Sequence, residues 1–239
     1  CMETKSPNRI LRILKTDSSY WKLVSGYSAR STAEAFGLWV ILVIVYIVLG
    51  FIYITYGLYL VTEINFIFAA YCYWKVYKDS KAIDTKEQKK IKRKKSVLLG
   101  IGSGLILFAV VVALNIFVFK DQMLTGFGTV TSFLYYAAVI ALPEEFIFRK
   151  YLQPRLYGRI SNDFLAVAAG GVLFMGLHIP FQMISEGIGI LQFLQNSWLT
   201  LLMTFIWHFV FNELYRKYNS AFAPVIFHAI MDWSGNLFI

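Results

Sequence analysis

Three charged residues, Glu144, Glu145 and Arg149, lie within a stretch of sequence that is otherwise almost entirely apolar. An ionised side chain at bilayer depth costs at least about 2.5–3.5 kcal/mol on insertion scales, so charges in such segments are usually functional. Later apolar segments contain three further ionisable residues, His178, His228 and Asp232. Carboxylates and imidazoles are the common proton donors and acceptors of enzymes. Together these residues predict acid–base chemistry inside a membrane.

Glu145 and Arg149 are four residues apart with the glutamate first, the order that favours an ion pair along a helix. This pairing predicts how Arg149 is tolerated in apolar surroundings. It leaves Glu144, about 100° further round the helix, to face a cavity and act as a general base. A purely structural Glu–Arg clamp is the alternative for Glu145 and Arg149.

Two more pairs have the same spacing of four residues, Phe174 with His178 and His228 with Asp232. Members of such pairs lie on one face of a helix. Asp232 can therefore orient the His228 ring or share a substrate with it. Pro180 predicts a break or kink just beyond His178. Taken alone, each pair could equally consist of hydrogen-bonded packing residues with no role in catalysis.

His208 and Asn212 repeat the spacing of the last pair in an aromatic context. We predict that His208 packs in the interior of the helix bundle, or supports residues of the site without contacting the substrate.

The composition predicts the elements that hold these residues. Of 239 residues, 58% are hydrophobic and only 15% are charged, whereas soluble domains carry roughly a quarter charged residues. Apolar runs of 18 or more residues recur, each long enough to cross a hydrocarbon core of about 30 Å. The predicted fold is an all-α, polytopic transmembrane helical bundle. Continuous apolar runs argue against a membrane barrel, whose strands alternate.

About seven spans are predicted, with a catalytic four-helix core in the C-terminal half. Residues 1–34 form a basic, amphipathic cytoplasmic segment, and residues 35–127 form three helices with a basic cytoplasmic loop at 78–95. The core is 128–239, with helices at 129–157, 163–183, 190–215 and 221–239 joined by short turns. At 1.5 Å per residue, Glu145, His178 and His228 lie roughly 20, 24 and 12 Å above the cytoplasmic turns, so they can meet in the interior.

The net charge of +9 reflects Lys and Arg in the N-terminal segment and short loops. Such a distribution marks the cytoplasmic side of a membrane protein. It predicts a cytoplasmic N-terminus and contact with the lipid bilayer, and it argues against nucleic acid as a partner. Cys1 and Cys72 are too few for a disulfide framework.

In combination, the motifs resemble those of the intramembrane CAAX-protease and bacteriocin-processing family (CPBP, or Abi). That family carries Glu-Glu-x-x-x-Arg, Phe-x-x-x-His and His-x-x-x-Asn/Asp in this order on successive helices. This chain has Glu144-Glu145-x-x-x-Arg149, Phe174-x-x-x-His178 and His228-x-x-x-Asp232. The resemblance covers about residues 130–239.

The resemblance implies hydrolysis of a peptide bond within the membrane. It implies that Glu144 activates water with help from His178, and that His228 and Asp232 contact the scissile carbonyl or its oxyanion. Asp232 stands where many members have Asn, and an ionised Asp cannot donate a hydrogen bond; orienting His228 is therefore its more natural role. The residues implied to support the site are Glu145, Arg149 and Phe174.

A catalytic zinc held by Glu144, His178 and His228 stays open as an alternative to metal-free chemistry. The sequence lacks His-Glu-x-x-His. We therefore expect activation of water by glutamate and histidine without a cofactor.

The leading interpretation is an intramembrane endopeptidase acting on a small peptide or a membrane-associated protein tail. Bacteriocin or signalling-peptide processing, self-immunity and CAAX-type cleavage are the roles that the resemblance implies. Loops rich in lysine and isoleucine favour a bacterial plasma membrane, which argues against prenylated tails. The alternatives are a non-catalytic immunity or scaffold protein and a proton-coupled transporter, although no inverted repeat is visible.

Overall fold

The computed structural model describes residues 15–79, 83–124 and 126–238, and these residues form eight helices and no strand. The prediction of an all-α fold is confirmed. Cys1 lies outside the described residues. Parts of the predicted amphipathic segment (1–34) and of the basic loop (78–95) also lie outside them. The helices are α1 Ser18–Val24, α2 Ala29–Tyr56, α3 Val61–Asp79, α4 Lys86–Phe119, α5 Phe127–Leu156, α6 Asp163–Ser185, α7 Ile190–Tyr218 and α8 Phe222–Gly235.

Four helices within the described ranges are long and apolar enough to cross a membrane: α2, α4, α5 and α6. The protein is therefore a multi-pass membrane protein. Helices α3 and α7 contain 19 and 29 residues, against the roughly 20 residues that span a bilayer. The total of seven spans stays a prediction.

Helices α4 and α6 extend beyond their predicted bounds. Helix α4 begins at Lys86, inside the predicted basic loop, because Thr85 and Gln88 form a reciprocal capping box. The Thr85 hydroxyl accepts from the Gln88 N–H at 3.2 Å, and the Gln88 side chain accepts from the Thr85 N–H at 3.0 Å. Helix α6 continues through Pro180 to Ser185, so the break expected after His178 does not occur.

The chain divides into two compact units. The first comprises the chain up to Val61 together with Tyr151–Glu213, and the second comprises Thr62–Lys150 together with the chain from Leu214. The first unit thus contains α2, α6 and most of α7. The second contains α3, α4, most of α5, and α8.

In the first unit, α2 packs closely against α6. The Trp39 indole donates a hydrogen bond to the Leu173 carbonyl at 2.8 Å. At Gly50 an added Cβ would lie 2.8 Å from the Cβ of Ile184, so the two backbones approach at a residue without a side chain. Small residues permit such close packing between membrane helices.

In the second unit, α4 packs against α8 at two glycines. An added Cβ at Gly100 would lie 2.9 Å from the Ala223 carbonyl oxygen, and one at Gly104 would overlap Ile230. The fully buried Ser96 hydroxyl accepts from the Ala223 N–H at 2.9 Å. This bond satisfies one of the N–H groups at the start of α8 that lack a partner within the helix.

Candidate active site

The two adjacent glutamates lie where the backbone of α5 departs from regular α-helix. The α-helical residues Leu142–Glu145 are flanked by π-helical turns at Tyr136–Ala141 and Phe146–Leu152. Pro143 lacks the N–H that would bond to an upstream carbonyl. Single π-helical turns within helices are frequent at functional sites. The directions of the Glu144 and Glu145 side chains therefore depend on these π-helical turns and cannot be read from the step of about 100° in a regular α-helix.

The ion pair expected from the sequence is present. Arg149 Nε lies 3.2 Å from Glu145 Oε2, and both side chains are fully buried. Breaking a buried pair by removing one partner leaves a charge in an apolar interior, which is strongly unfavourable. Glu145 and Arg149 thus act together as a fixed element of α5.

A contact between α5 and α8 joins this ion pair to the histidine. Glu145 Oε1 accepts a hydrogen bond from His228 Nδ1 at 3.0 Å. The other ring nitrogen of His228, Nε2, lies 3.3 Å from Asp232 Oδ2. Both ring nitrogens face carboxylates, and an imidazole can donate to two acceptors at once only when it is doubly protonated.

The four side chains form a continuous buried network, which we call the Arg–Glu–His–Asp chain: Arg149, Glu145, His228 and Asp232. Its two ends differ in exposure. Arg149 and Glu145 are fully buried, whereas the Asp232 side chain is 24% exposed. Glu144, next to Glu145 on α5, is half-buried. The Asp232 end of the network and Glu144 are therefore less enclosed by protein than the Arg149 end.

His178 and Phe174 lie in the first unit, on α6. The His178 Nδ1 atom is 2.9 Å from the Phe174 carbonyl oxygen, and since a carbonyl only accepts, Nδ1 is the donor. The Phe174 and His178 rings meet edge to face with centroids 4.9 Å apart. In the neutral ring this tautomer leaves Nε2 with a lone pair that can accept a proton.

His208 is also in the first unit, and it is completely buried. Its Nε2 lies 3.0 Å from Gln153 Oε1, and its ring centroid is 5.8 Å from that of Phe174. Gln153 was not among the residues that the sequence singled out. Nothing in its spacing from His208 distinguishes it, because the two are 55 residues apart.

The sequence left open a zinc ion held by Glu144, His178 and His228. Within the described residues, no group of three or more His, Cys, Asp or Glu side chains could hold a metal. Chemistry without a metal stays a prediction.

Comparison with known proteins finds a family match for the region that carries all three motifs. Residues 126–234 match the sequence model of a family described as Rce1-like, type II CAAX prenyl endopeptidase. The resemblance predicted from the motifs is thereby confirmed over this range, which is just under half of the chain. No curated protein and no solved structure matches the chain.

Proposed function

We propose that the protein is a CAAX-type intramembrane endopeptidase of the Rce1-like family, whose sequence model matches residues 126–234. We further propose that Glu144 is the general base of this protease. The observation that carries the proposal is the difference in burial and contacts between the two adjacent glutamates. Glu145 is fully buried and engages Arg149 and His228. Glu144 is half-buried, so it is less enclosed by protein than Glu145.

In the proposed reaction, Glu144 takes a proton from a water molecule, whose oxygen attacks the carbonyl carbon of the scissile peptide bond. The carbonyl oxygen becomes an oxyanion. When the tetrahedral intermediate collapses, the C–N bond breaks and protonated Glu144 gives its proton to the leaving amine. The products are a new carboxyl terminus and a new amino terminus, and Glu144 is regenerated.

His228 supplies a hydrogen bond to the oxyanion. Its Nε2 is on the side of the ring that faces Asp232, the more exposed end of the Arg–Glu–His–Asp chain. Glu145 holds the opposite nitrogen, so the ring cannot turn away. A fixed donor of this kind stabilises the transition state more than the ground state, because negative charge develops on the oxygen only during reaction.

His178 has a role in activating water that rests on the family pattern. Its tautomer supports this role, since the bond from Nδ1 to the Phe174 carbonyl leaves Nε2 as a proton acceptor.

The proposed substrate is a short peptide or a membrane-associated protein tail, cleaved at a bacterial plasma membrane with the N-terminus of the enzyme in the cytoplasm. The wild-type protein would be reconstituted into vesicles with a panel of leader peptides and prenylated peptides, in water enriched in the heavy oxygen isotope. Mass spectrometry should find two fragments, one with a single heavy oxygen in its new carboxyl terminus. Fragments without heavy oxygen, or none from any peptide, would contradict hydrolysis.

A further inference from the structure

A second polar cluster lies in the first unit. It consists of Gln153 near the end of α5 and His208 on α7, of which 1% and 0% are exposed. The Gln153 side-chain N–H donates to the Ala166 carbonyl at 3.1 Å. This bond fixes which end of the Gln153 amide faces His208, so Gln153 Oε1 accepts from His208 Nε2 at 3.0 Å.

The cluster is accommodated by a glycine on α6. A Cβ at Gly170 would overlap Gln153 Oε1 and would lie 2.9 Å from His208 Nε2. The neighbouring Gly171 brings α6 equally close to Phe205 of α7. The hydrogen bond between Gln153 and His208 therefore occupies space that any larger residue at position 170 would remove.

A chain of contacts leads from this hydrogen bond to His178. The His208 ring packs against Phe174 with centroids 5.8 Å apart. Phe174 is 3% exposed and meets the His178 ring edge to face at 4.9 Å. Its carbonyl also accepts the His178 Nδ1 hydrogen bond at 2.9 Å. Phe174 thus contacts both rings.

We propose that His208, held by Gln153, is a positioning residue for His178, acting through Phe174. A directional hydrogen bond fixes the plane of the His208 ring, whereas an apolar ring in the same space could turn about its side-chain bonds. The fixed ring restricts Phe174, and Phe174 restricts the orientation of His178. This inference rests on the proposed function for its catalytic consequence, although its structural part is measured without any substrate.

The test uses the three histidines of the chain, His178, His208 and His228, which give three imidazole signals in nuclear magnetic resonance spectra of the histidine-labelled protein. Gln153→Met removes the acceptor for His208 without changing a residue that contacts His178. We expect the His178 signal to shift in this variant while the His228 signal, from the second unit, keeps its position. Thr204→Ala, on the same helix as His208, is the control, because the Thr204 hydroxyl donates to the Thr200 carbonyl of its own helix.

A second variant keeps the test informative if Gln153→Met does not fold. His208→Gln retains an N–H donor for Gln153 but lacks the ring that contacts Phe174, so it should also displace the His178 signal. An unchanged His178 signal in either folded variant would overturn the proposal.

The cleavage assay adds a readout that loss of folded protein alone would not produce. Displacement of a reacting group by about 1 Å can lower the rate by on the order of a hundredfold, so kcat should fall by roughly tenfold to a hundredfold with KM unchanged. A rise in KM with unchanged kcat would contradict a positioning role. If the His178 signal shifts but the wild type cleaves no peptide, the proposed function fails and the coupling between His208 and His178 stands.

Discussion

Glu145 on α5 and His228 on α8 are joined by a 3.0 Å hydrogen bond, although 83 residues separate them in the sequence. The second carboxylate oxygen of Glu145 lies 3.2 Å from Arg149 Nε. Both oxygens of Glu145 therefore have fixed partners, and this residue is committed to holding α5 and α8 together. The adjacent carboxylate, Glu144, is the residue that we propose as the general base.

Replacing Glu145 by glutamine should destabilise the protein. The variant removes the charge that faces the buried Arg149 guanidinium and the His228 ring. Loss of one partner from a buried pair costs about 3–5 kcal/mol. The free energy of unfolding, measured by titrating the detergent-solubilised protein with a denaturing detergent, checks the expected loss.

The matched control is Glu34→Gln. Glu34 pairs with Arg30 at 3.3 Å, also four residues apart, but the two side chains are 37% and 89% exposed. Such surface pairs contribute little, so the control should unfold close to the wild type. Equal effects of the two substitutions would contradict the assignment of a buried network.

Two substitutions at Asp232 separate orientation of His228 from electrostatic effects. Asparagine keeps an oxygen acceptor 3.3 Å from His228 Nε2, so Asp232→Asn should retain most of kcat. Asp232→Ala removes the acceptor at Nε2 and leaves the ring its hydrogen bond to Glu145; kcat should fall on the order of a hundredfold to a thousandfold, as when one oxyanion donor is lost. Steady-state kinetics on a peptide that the wild type cleaves would distinguish them. An alanine variant as active as the wild type would show that Asp232 does not orient His228.

The packing of α4 against α8 should be sensitive to one added methyl group. At Gly100 an added Cβ lies 2.9 Å from the Ala223 carbonyl oxygen, whereas at Gly102 nothing lies within 4 Å. Gly100→Ala should destabilise the protein by about 1–3 kcal/mol, as expected for overpacking. It should also lower kcat, because α8 carries His228. Gly102→Ala is the control, and a loss of stability as large as that of Gly100→Ala would contradict this packing.

Chelation of divalent metals should leave the cleavage rate unchanged. The basis is the proposed mechanism, in which Glu144 activates water with help from His178 and no metal ion takes part. The measurement compares the rate before and after dialysis against a strong chelator. Loss of activity that returns with added zinc would overturn the metal-free mechanism.

The contacts that the sequence could predict are those within one helix. The spacing of Glu145 from Arg149 and of His228 from Asp232 places each pair on one helical face, and both pairs are in contact. The hydrogen bond between Glu145 and His228 was not predicted. It depends on how α5 and α8 pack, which no spacing along the chain encodes.

The ends of the helices likewise depend partly on local sequence and partly on packing between helices. The start of α4 at Lys86 was readable from the Thr85 and Gln88 capping pair, but the dense lysines favoured a loop. Of the break or kink predicted after His178, the break does not occur, because α6 continues through Pro180 to Ser185. Neighbouring groups in a membrane bundle can satisfy the carbonyl that a proline leaves without a bond.

The role of Glu144 is tested by comparing cleavage by wild type, Glu144→Gln and Glu186→Gln in the same vesicles. Glutamine at position 144 keeps the size of the side chain but cannot take a proton from water, and Glu186 is an exposed residue at the end of α6. We expect normal cleavage by Glu186→Gln and a kcat for Glu144→Gln lowered by about 10²–10⁴-fold, the usual contribution of a general base. Cleavage by Glu144→Gln at the wild-type rate would show that Glu144 is not the general base.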